Sequence, residues 1–320
     1  MASTIEEQLS VEEVGKDEFV SKFNPGRMGN MNNIAYGGCT IGVGIEAATQ
    51  TVPDKYFLYS AMGNYLGPAL TDRKIKCSVR RVRDTRTFAT RIVELGQEQD
   101  DGKLRLCMTM LADFQIKEKA SLLEYSAPPA RSYSSVEKCQ NAIENIDNFV
   151  KKGLVPEAVA EIYKGQFELM GRFFDVRTTP EGVVSHNLNG LVKDAKTPQD
   201  GLALTSKTSA DWFRCRHSIR GEYAALSFVL DGYLSFLPLA HSNMFLNDAA
   251  ACSSLDFALR FFTTDIDPTQ WYMREMKTIA SGNGRTYSET RLWDKQGNMV
   301  ADMTQQSILR PMPDEKTSKL

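Results

Sequence analysis

The 320-residue sequence has no uninterrupted apolar run of the roughly 20 residues that a membrane-spanning helix needs. Its first residues, Met1–Glu7, lack the basic and apolar regions of a secretory signal peptide. Hydrophobic residues still make up 42% of the chain, enough to form substantial cores. We therefore expect a soluble globular protein that is not exported through a signal peptide and does not span a membrane.

The chain also lacks a strong charge of either sign. Its net charge is -2 at pH 7 and its pI is about 6.0, so no overall field attracts nucleic acid, and we predict no such partner. The cysteines show neither the close pairs of a zinc site nor the density of a disulfide scaffold. They are Cys39, Cys77, Cys107, Cys139, Cys215 and Cys252. We expect reduced thiols and no cofactor or metal.

Familiar catalytic motifs are missing as well. No Gly-x-Ser-x-Gly sequence is present, which argues against a serine hydrolase of the α/β type. The three histidines, His186, His217 and His241, stand apart from any recognisable nucleophile motif. Gly42 and Gly44 form only part of a dinucleotide-binding fingerprint, and we interpret them as glycines of a helix packed closely against a sheet.

What the chain does contain is an internal repeat of one helix followed by strand-like segments. In the first half, a small-residue helix over Cys39–Gln50 precedes strands at Tyr56–Leu66, Lys74–Val82, Phe88–Leu95 and Leu104–Ile116. In the second, a helix over Glu222–Leu237 precedes strands at Ser253–Phe262, Trp271–Ala280, Arg285–Trp293 and Met299–Leu309. The pattern predicts an α+β protein made of two helix-plus-antiparallel-sheet units with their sheets joined.

The two units are separated by a segment of different character. It begins near Ala127-Pro128-Pro129 and continues with helix-prone stretches at Val136–Lys152 and Glu157–Gly171. We therefore predict an N-terminal domain over residues 1–120, a helical linker over 121–170, and a C-terminal domain over 171–320.

Three polar residues stand out in the second sheet: Asp256, Thr278 and Gln305. They lie on three different predicted strands, which can bring them to one place, whereas the first repeat has small or apolar residues around Ala61. The pattern alone also allows a structural role, with Asp256 accepting hydrogen bonds at a strand end.

Four stretches resemble one known family. Tyr36-Gly37-Gly38, Ser253–Asp256, Lys277–Ser281 and Val300–Gln305 are similar to the acyl-CoA thioesterase II family of bacteria and peroxisomes, and the likeness extends over about residues 20–118 and 170–311. The resemblance implies a double hot-dog fold. It also implies hydrolysis of acyl-CoA to free acid and CoA, with Asp256, Thr278 and Gln305 holding the attacking water.

The sequence departs from the family beside two of these residues. Phe257 stands where the family commonly has histidine, and Gln306 where it commonly has glutamate. Another acyl-CoA reaction, such as hydration, isomerisation or acyl transfer, therefore remains an alternative, as does acyl-CoA binding without turnover.

Oxyanion stabilisation and CoA binding have candidates of their own. Backbone N–H groups at Gly37 and Gly38, near a helix start, are candidate oxyanion donors, although the pair also suits a plain tight turn. A basic run could contact CoA phosphates or simply face solvent. It consists of Lys74, Lys76, Arg80, Arg81 and Arg83.

The last three residues, Ser318, Lys319 and Leu320, match the peroxisomal import signal. We therefore expect a peroxisomal location and recognition by the import receptor. Exposed sheet edges make a homo-oligomer plausible.

Overall fold

A computed structural model of the chain describes residues 2–30 and 32–313, and within these residues every named strand belongs to one antiparallel sheet. The strands are β1 (Val11–Gly15), β2 (Glu18–Ser21), β3 (Tyr56–Tyr65), β4 (Lys76–Asp84), β5 (Phe88–Glu98), β6 (Leu104–Ile116), β7 (Gln140–Asn141), β8 (Phe174–Thr178), β9 (Thr208–Cys215), β10 (Ala249–Phe261), β11 (Tyr272–Gly282), β12 (Arg285–Trp293) and β13 (Met299–Pro311).

The order of these strands shows two half-sheets fused at one seam. It runs β1-β2-β4-β5-β6-β3-β10-β13-β12-β11-β9-β8-β7, so every strand before the seam comes from residues 11–116 and every strand after it from residues 140–311. At the seam, β3 and β10 pair antiparallel with Ala61 opposite Leu259. The predicted α+β architecture of two joined helix-plus-sheet units is confirmed.

Seven α-helices accompany the sheet in the described part of the chain. They are α1 (Ile5–Leu9), α2 (Gly37–Thr49), α3 (Ala142–Lys151), α4 (Glu157–Phe173), α5 (Val184–Asn187), α6 (Glu222–Leu230) and α7 (Leu237–His241). None of the helices in this part is long and apolar enough to cross a membrane.

The two central helices, α2 and α6, pack against each other as well as against the sheet. Both consist almost entirely of small and apolar residues, the composition of a helix covered on all sides. A methyl group added at Gly42 would lie 3.2 Å from the Ala224 carbonyl oxygen of α6, and one at Gly44 would lie 2.8 Å from Cε of Met110 on β6. Gly44 thus has the predicted close approach to the sheet, whereas Gly42 serves the contact between helices.

The second central helix is shorter than expected from the sequence. It ends at Leu230, not at Leu237, because the chain turns through Asp231 and Gly232 to Tyr233, whose φ is 79°. The Tyr233 carbonyl then accepts N–H bonds from Phe236 at 3.1 Å and from Leu237 at 2.8 Å, which starts α7. This turn leaves Asp231 at the C-terminal end of α6.

The segment between the half-sheets is also more varied than predicted. Val136–Lys138 forms a short 3₁₀ turn and Gln140–Asn141 forms β7, so a continuous helix over Val136–Lys152 is wrong. Asn141 starts α3 instead, since its side-chain oxygen caps the Ile143 N–H at 2.9 Å. The N-terminal 30 residues contain α1, β1 and β2. The proposed division at residues 120 and 170 stays a prediction.

Candidate active site

A cavity of about 590 Å³ lies where the start of α2, the turn after α6 and the start of β10 meet. Its lining includes Tyr36 and Gly37 from the first half of the chain, and Asp231, Ser253 and Ser254 from the second. A volume of this size suits a small-molecule ligand. The cavity is therefore assembled by both repeats.

Asp231 is the carboxylate that faces this cavity from its buried end. Only 6% of Asp231 is exposed, and its Oδ1 accepts hydrogen bonds from Nε2 of Gln305 at 2.7 Å and from the hydroxyl of Tyr65 at 3.3 Å. The backbone N–H of Gly38, in the first turn of α2, is a further donor to this carboxylate. Asp231 is thus held by residues of β13, β3 and α2.

Burial decides the protonation behaviour of Asp231. Desolvation raises the pKa of its carboxyl from 3.8 to about 6, although the donors Gln305, Tyr65 and the Gly38 N–H each lower that pKa. A carboxylate with a pKa near 6 is ionised at neutral pH yet more basic than an ordinary aspartate. It can accept a proton from a bound water, which is the work of a general base.

Gln305, one of the residues expected to be catalytic, belongs to this cluster. It is 1% exposed, and its Oε1 accepts a hydrogen bond from the Ser307 hydroxyl at 3.3 Å. A hydroxyl can donate or accept, whereas an ionised carboxylate only accepts, so Asp231 fixes which end of the amide points toward it. Gln305 therefore presents its N–H₂ group to the carboxylate.

Asp256 lies elsewhere. On β10 it pairs with Gln306, while its neighbour Phe257 pairs with Gln305. Because successive residues of a strand point to opposite faces, Asp256 is on the face of the sheet away from the Gln305 side chain. Its Oδ1 accepts the Gln306 N–H at 3.1 Å. The structure therefore separates Asp256 from Gln305, contrary to the convergence expected from the sequence.

A β-bulge at Leu255 explains why Ser254 was missed. Ser254 pairs with Ser307 and Asp256 with Gln306, so two steps along β10 match one step along β13. Strict alternation would place Ser254 on the same face as Asp256. The bulge instead puts it on the face of Ser307 and Gln305, where it lines the cavity.

Thr278, the third residue expected at the site, shares a face of the sheet with Gln305 but not its position. Thr278 pairs with Ser288 on β12, and Ser288 pairs with Gln305 on β13. With adjacent strands about 4.8 Å apart, two strand spacings of roughly 10 Å separate the backbones of Thr278 and Gln305. Thr278 is buried and is not among the residues that line the cavity.

Gly37 lines the cavity and Gly38 donates its N–H to Asp231, while their part as oxyanion donors stays a prediction. A methyl group at Gly37 would lie 2.6 Å from the Tyr65 hydroxyl and 3.0 Å from Oδ2 of Asp231, so only glycine fits without displacement. Since α2 begins at Gly37, its positive end points toward the cavity, where the Gly38 N–H donates to Asp231.

The basic run on and before β4 lies apart from this cavity. Four of its residues lie within 4 Å of carboxylates: Lys74 with Glu12, Lys76 with Glu98, Arg81 with Asp17, and Arg83 with Asp113. None of the five lines the cavity. The structure thus gives no support to a CoA contact there.

Asp231, which was missed along with Ser254, did leave a signal in the sequence. It is the only charged residue between Tyr223 and Ala240, in a stretch that otherwise consists of apolar and small residues with Tyr233 and Pro238. A lone carboxylate in a segment bound for the core must be compensated or functional.

Comparison with known protein families identifies the family of this chain. The model of the acyl-CoA thioesterase N-terminal domain matches residues 24–115, and that of the acyl-CoA thioesterase C-terminal domain matches residues 169–309. The chain belongs to the acyl-CoA thioesterase II family. No curated protein has a significant sequence match to this chain.

Solved structures agree on the fold. An acyl-CoA thioesterase II from Mycobacterium marinum superposes with a TM-score of 0.66 at 19% identity, covering 97% of this chain and 99% of that one. A hot-dog protein of unknown function from Alicyclobacillus acidocaldarius gives 0.66 at 14%, covering 96% and 98%. A polyketide synthase dehydratase domain from Brevibacillus brevis gives 0.53 at 10%, covering 98% and 100%. The family chain therefore has the double hot-dog fold.

Proposed function

We propose that the protein hydrolyses acyl-CoA thioesters to free acid and CoA, with Asp231 as the general base. The observation that carries this proposal is the buried carboxylate, held by Gln305 at 2.7 Å, facing the cavity with its pKa raised to about 6. Family membership supplies the substrate class.

The chemistry needs one water and no other reactant. Asp231 takes a proton from the water while the water oxygen attacks the thioester carbonyl carbon. This attack forms a tetrahedral intermediate with an oxyanion. The N-terminus of α2 at Gly37 is suited to stabilise that oxyanion. The C–S bond then breaks, and the proton on Asp231 passes to the leaving CoA thiolate. Gln305 orients the carboxylate, and Ser254 offers a hydroxyl that can orient the water.

The experiment measures thiol release across acyl-CoAs of several chain lengths, with mass spectrometry of the products. We expect stoichiometric free acid and CoA from the native sequence. The Asp231→Asn variant should bind the same substrates and release almost no thiol. Thiol release that is equal in both proteins would contradict the assignment of Asp231.

The alternative is a different reaction on the same acyl-CoA, or binding alone. Phe257 favours this alternative, because it stands where the family commonly has histidine. Its ring lies 6.2 Å from the ring of Tyr65, which donates a hydrogen bond to Asp231. Hydration, isomerisation or acyl transfer would give a changed acyl product without equal release of free acid. Acyl-CoA binding without any product would indicate a binding protein.

We also propose that the protein is imported into peroxisomes. Ser318, Lys319 and Leu320, on which this rests, lie outside the residues that the structure describes. A fluorescent protein fused to the N-terminus should co-localise with a peroxisomal marker, and deletion of the three residues should return it to the cytosol. A punctate peroxisomal pattern that survives the deletion would contradict the proposal.

A further inference from the structure

A second cavity, of about 540 Å³, lies beside α3 and α4. Much of its lining is apolar, from Ile146 of α3, Phe167 and Met170 of α4, and Phe174 and Val176 of β8. Four of the five charged side chains that line it pair with each other, Lys164 with Glu161 at 2.8 Å and Arg172 with Glu168 at 2.9 Å. The fifth, Arg216, donates to the Gly171 carbonyl at 2.8 Å. An uncharged apolar group suits this interior.

One residue, Tyr233, lines both this cavity and the cavity that contains Asp231. It belongs to a cluster of rings that we call the aromatic wall, composed of Tyr163, Phe167, Tyr233, Phe236 and Phe245. The rings of Tyr233 and Phe236 lie 5.3 Å apart, and Phe167 stacks on Tyr233 at 6.2 Å with an interplanar angle of 14°. Tyr163 reaches Phe167 at 4.8 Å and Phe245 at 6.4 Å. These rings form the partition between the two cavities.

Tyr233 holds its position in an unfavourable backbone conformation. Its φ of 79° lies in the left-handed region, where a bulky side chain is a rare exception. Such strain is concentrated at functional sites. The same turn contains Asp231 two residues earlier, and both residues line the first cavity.

We propose that the second cavity receives the distal part of the acyl chain, and that Tyr233 sets how much of that chain can pass. This inference rests on the proposed function. The thioester lies at Asp231 in the first cavity, and an alkyl chain that extends past Tyr233 enters the apolar space beside α4. Tyr233 is thus a specificity-determining residue.

The first test replaces the ring of Tyr233 and compares a long acyl-CoA, hexadecanoyl, with a short one, butanoyl. Tyr233→Gly opens the partition and also relieves the backbone strain, since glycine tolerates positive φ. We expect the ratio of kcat/KM for the long substrate to that for the short one to rise, by about fourfold for each additional methylene admitted. Tyr233→Trp should lower this ratio, and Tyr233→Phe, which keeps the ring, should leave the ratio near that of the native protein.

A second test reaches the distal cavity without touching the first. Ile143 lines the second cavity and is 55% exposed, whereas Ile162 is exposed to nearly the same extent, 56%, and does not line it. Ile143→Trp should narrow the cavity and lower the long-to-short ratio severalfold. Ile162→Trp is the matched control, with no change expected.

Binding of non-hydrolysable S-alkyl-CoA thioethers separates this inference from the proposed function. If thiol is released but the chain-length ratio is the same in Tyr233→Gly, Tyr233→Trp and Ile143→Trp, the inference is overturned and the hydrolase assignment stands. If no acyl-CoA is hydrolysed, the hydrolase assignment fails. Thioether affinity that depends on chain length and shifts with Tyr233 still supports the inference, and affinity that ignores Tyr233 overturns it.

Discussion

The two repeats use the same fold to make two different contacts between helix and sheet. In the first repeat, Met110 of β6 packs against Gly44 of α2, and the residue after this helix, Gln50, is exposed. In the second repeat, the run Met303-Thr304-Gln305 on β13 matches Met108-Thr109-Met110 on β6 in sequence, so Gln305 corresponds to Met110. Gln305 donates to Asp231 at the buried end of α6. An apolar contact in one half thus corresponds to a polar, ionisable one in the other.

The first repeat nevertheless takes part in the site. It contributes the Gly38 N–H and the Tyr65 hydroxyl to Asp231, and Gly37 to the cavity wall. The two repeats therefore contribute different groups to the site. The second half holds the carboxylate that we propose as the base, and the first half holds donors around it.

The largest effect is expected from removing the charge that distinguishes the second repeat. Asp231→Asn should lower kcat/KM by about a thousandfold, within the range that a general base contributes. Thiol release under single-turnover conditions measures this. Asp256→Asn is the control, because an asparagine oxygen can still accept the Gln306 N–H, and we expect less than about a threefold change. The reverse order of effects would restore Asp256 as the base.

The next effect comes from making the second repeat resemble the first. Gln305→Met copies Met110 and removes a hydrogen bond to a charged group, so kcat/KM should fall by roughly tenfold to a hundredfold. Loss of this donor should also move the pKa of Asp231 above 6, which pH–rate profiles detect.

Gln306→Met, one residue away on the opposite face of the sheet, is the matched substitution. Equal losses of kcat/KM in Gln305→Met and Gln306→Met would show that the hydrogen bond from Gln305 to Asp231 makes no specific contribution to activity.

Burial of Asp231 should also make the free energy of unfolding depend on pH. Its folded pKa of about 6 exceeds the ordinary value of 3.8, so the folded state holds the proton more tightly. Asp231 therefore favours folding most below pH 3.8, and this contribution is lost as the pH rises through 6. The free energy of unfolding of the native protein, relative to Asp231→Asn, should fall by about 3 kcal/mol over that window. Denaturant titrations at several pH values measure the difference, and parallel pH curves for the two proteins would contradict the shift.

The smallest effect is expected from the donor of the first repeat. Tyr65→Phe removes the 3.3 Å hydrogen bond to Asp231 and should reduce kcat/KM about threefold, with a slight rise in the pKa of Asp231. Tyr56→Phe, which removes a hydroxyl bonded to the Thr85 carbonyl, is the control. A loss as large as that of Asp231→Asn would instead give Tyr65 a direct part in the chemistry.

The fold could be predicted from the sequence because the spacing of apolar residues marks each strand and helix locally. The repeat of one helix followed by strands can also be read directly from the chain. The strand runs of both halves appear within a few residues of their predicted bounds, and the glycines of α2 foretold its close packing. The site depends on non-local features. A bulge at Leu255 changes which residues of β10 share the face of Gln305, and the turn that leads to Tyr233 ends α6 at Leu230, directly before Asp231. Neither the bulge nor the positive φ of a tyrosine has a clear sequence signature.

The pH dependence of kcat/KM tests the central claim most directly, since it reports the pKa of the essential base in the free enzyme. With Asp231 as that base, activity should rise with pH through a midpoint near 6, and the Asp256→Asn variant should keep the same midpoint. The absence of a midpoint near 6 would contradict the assignment of Asp231, and a midpoint that is lost in Asp256→Asn would place the base on β10.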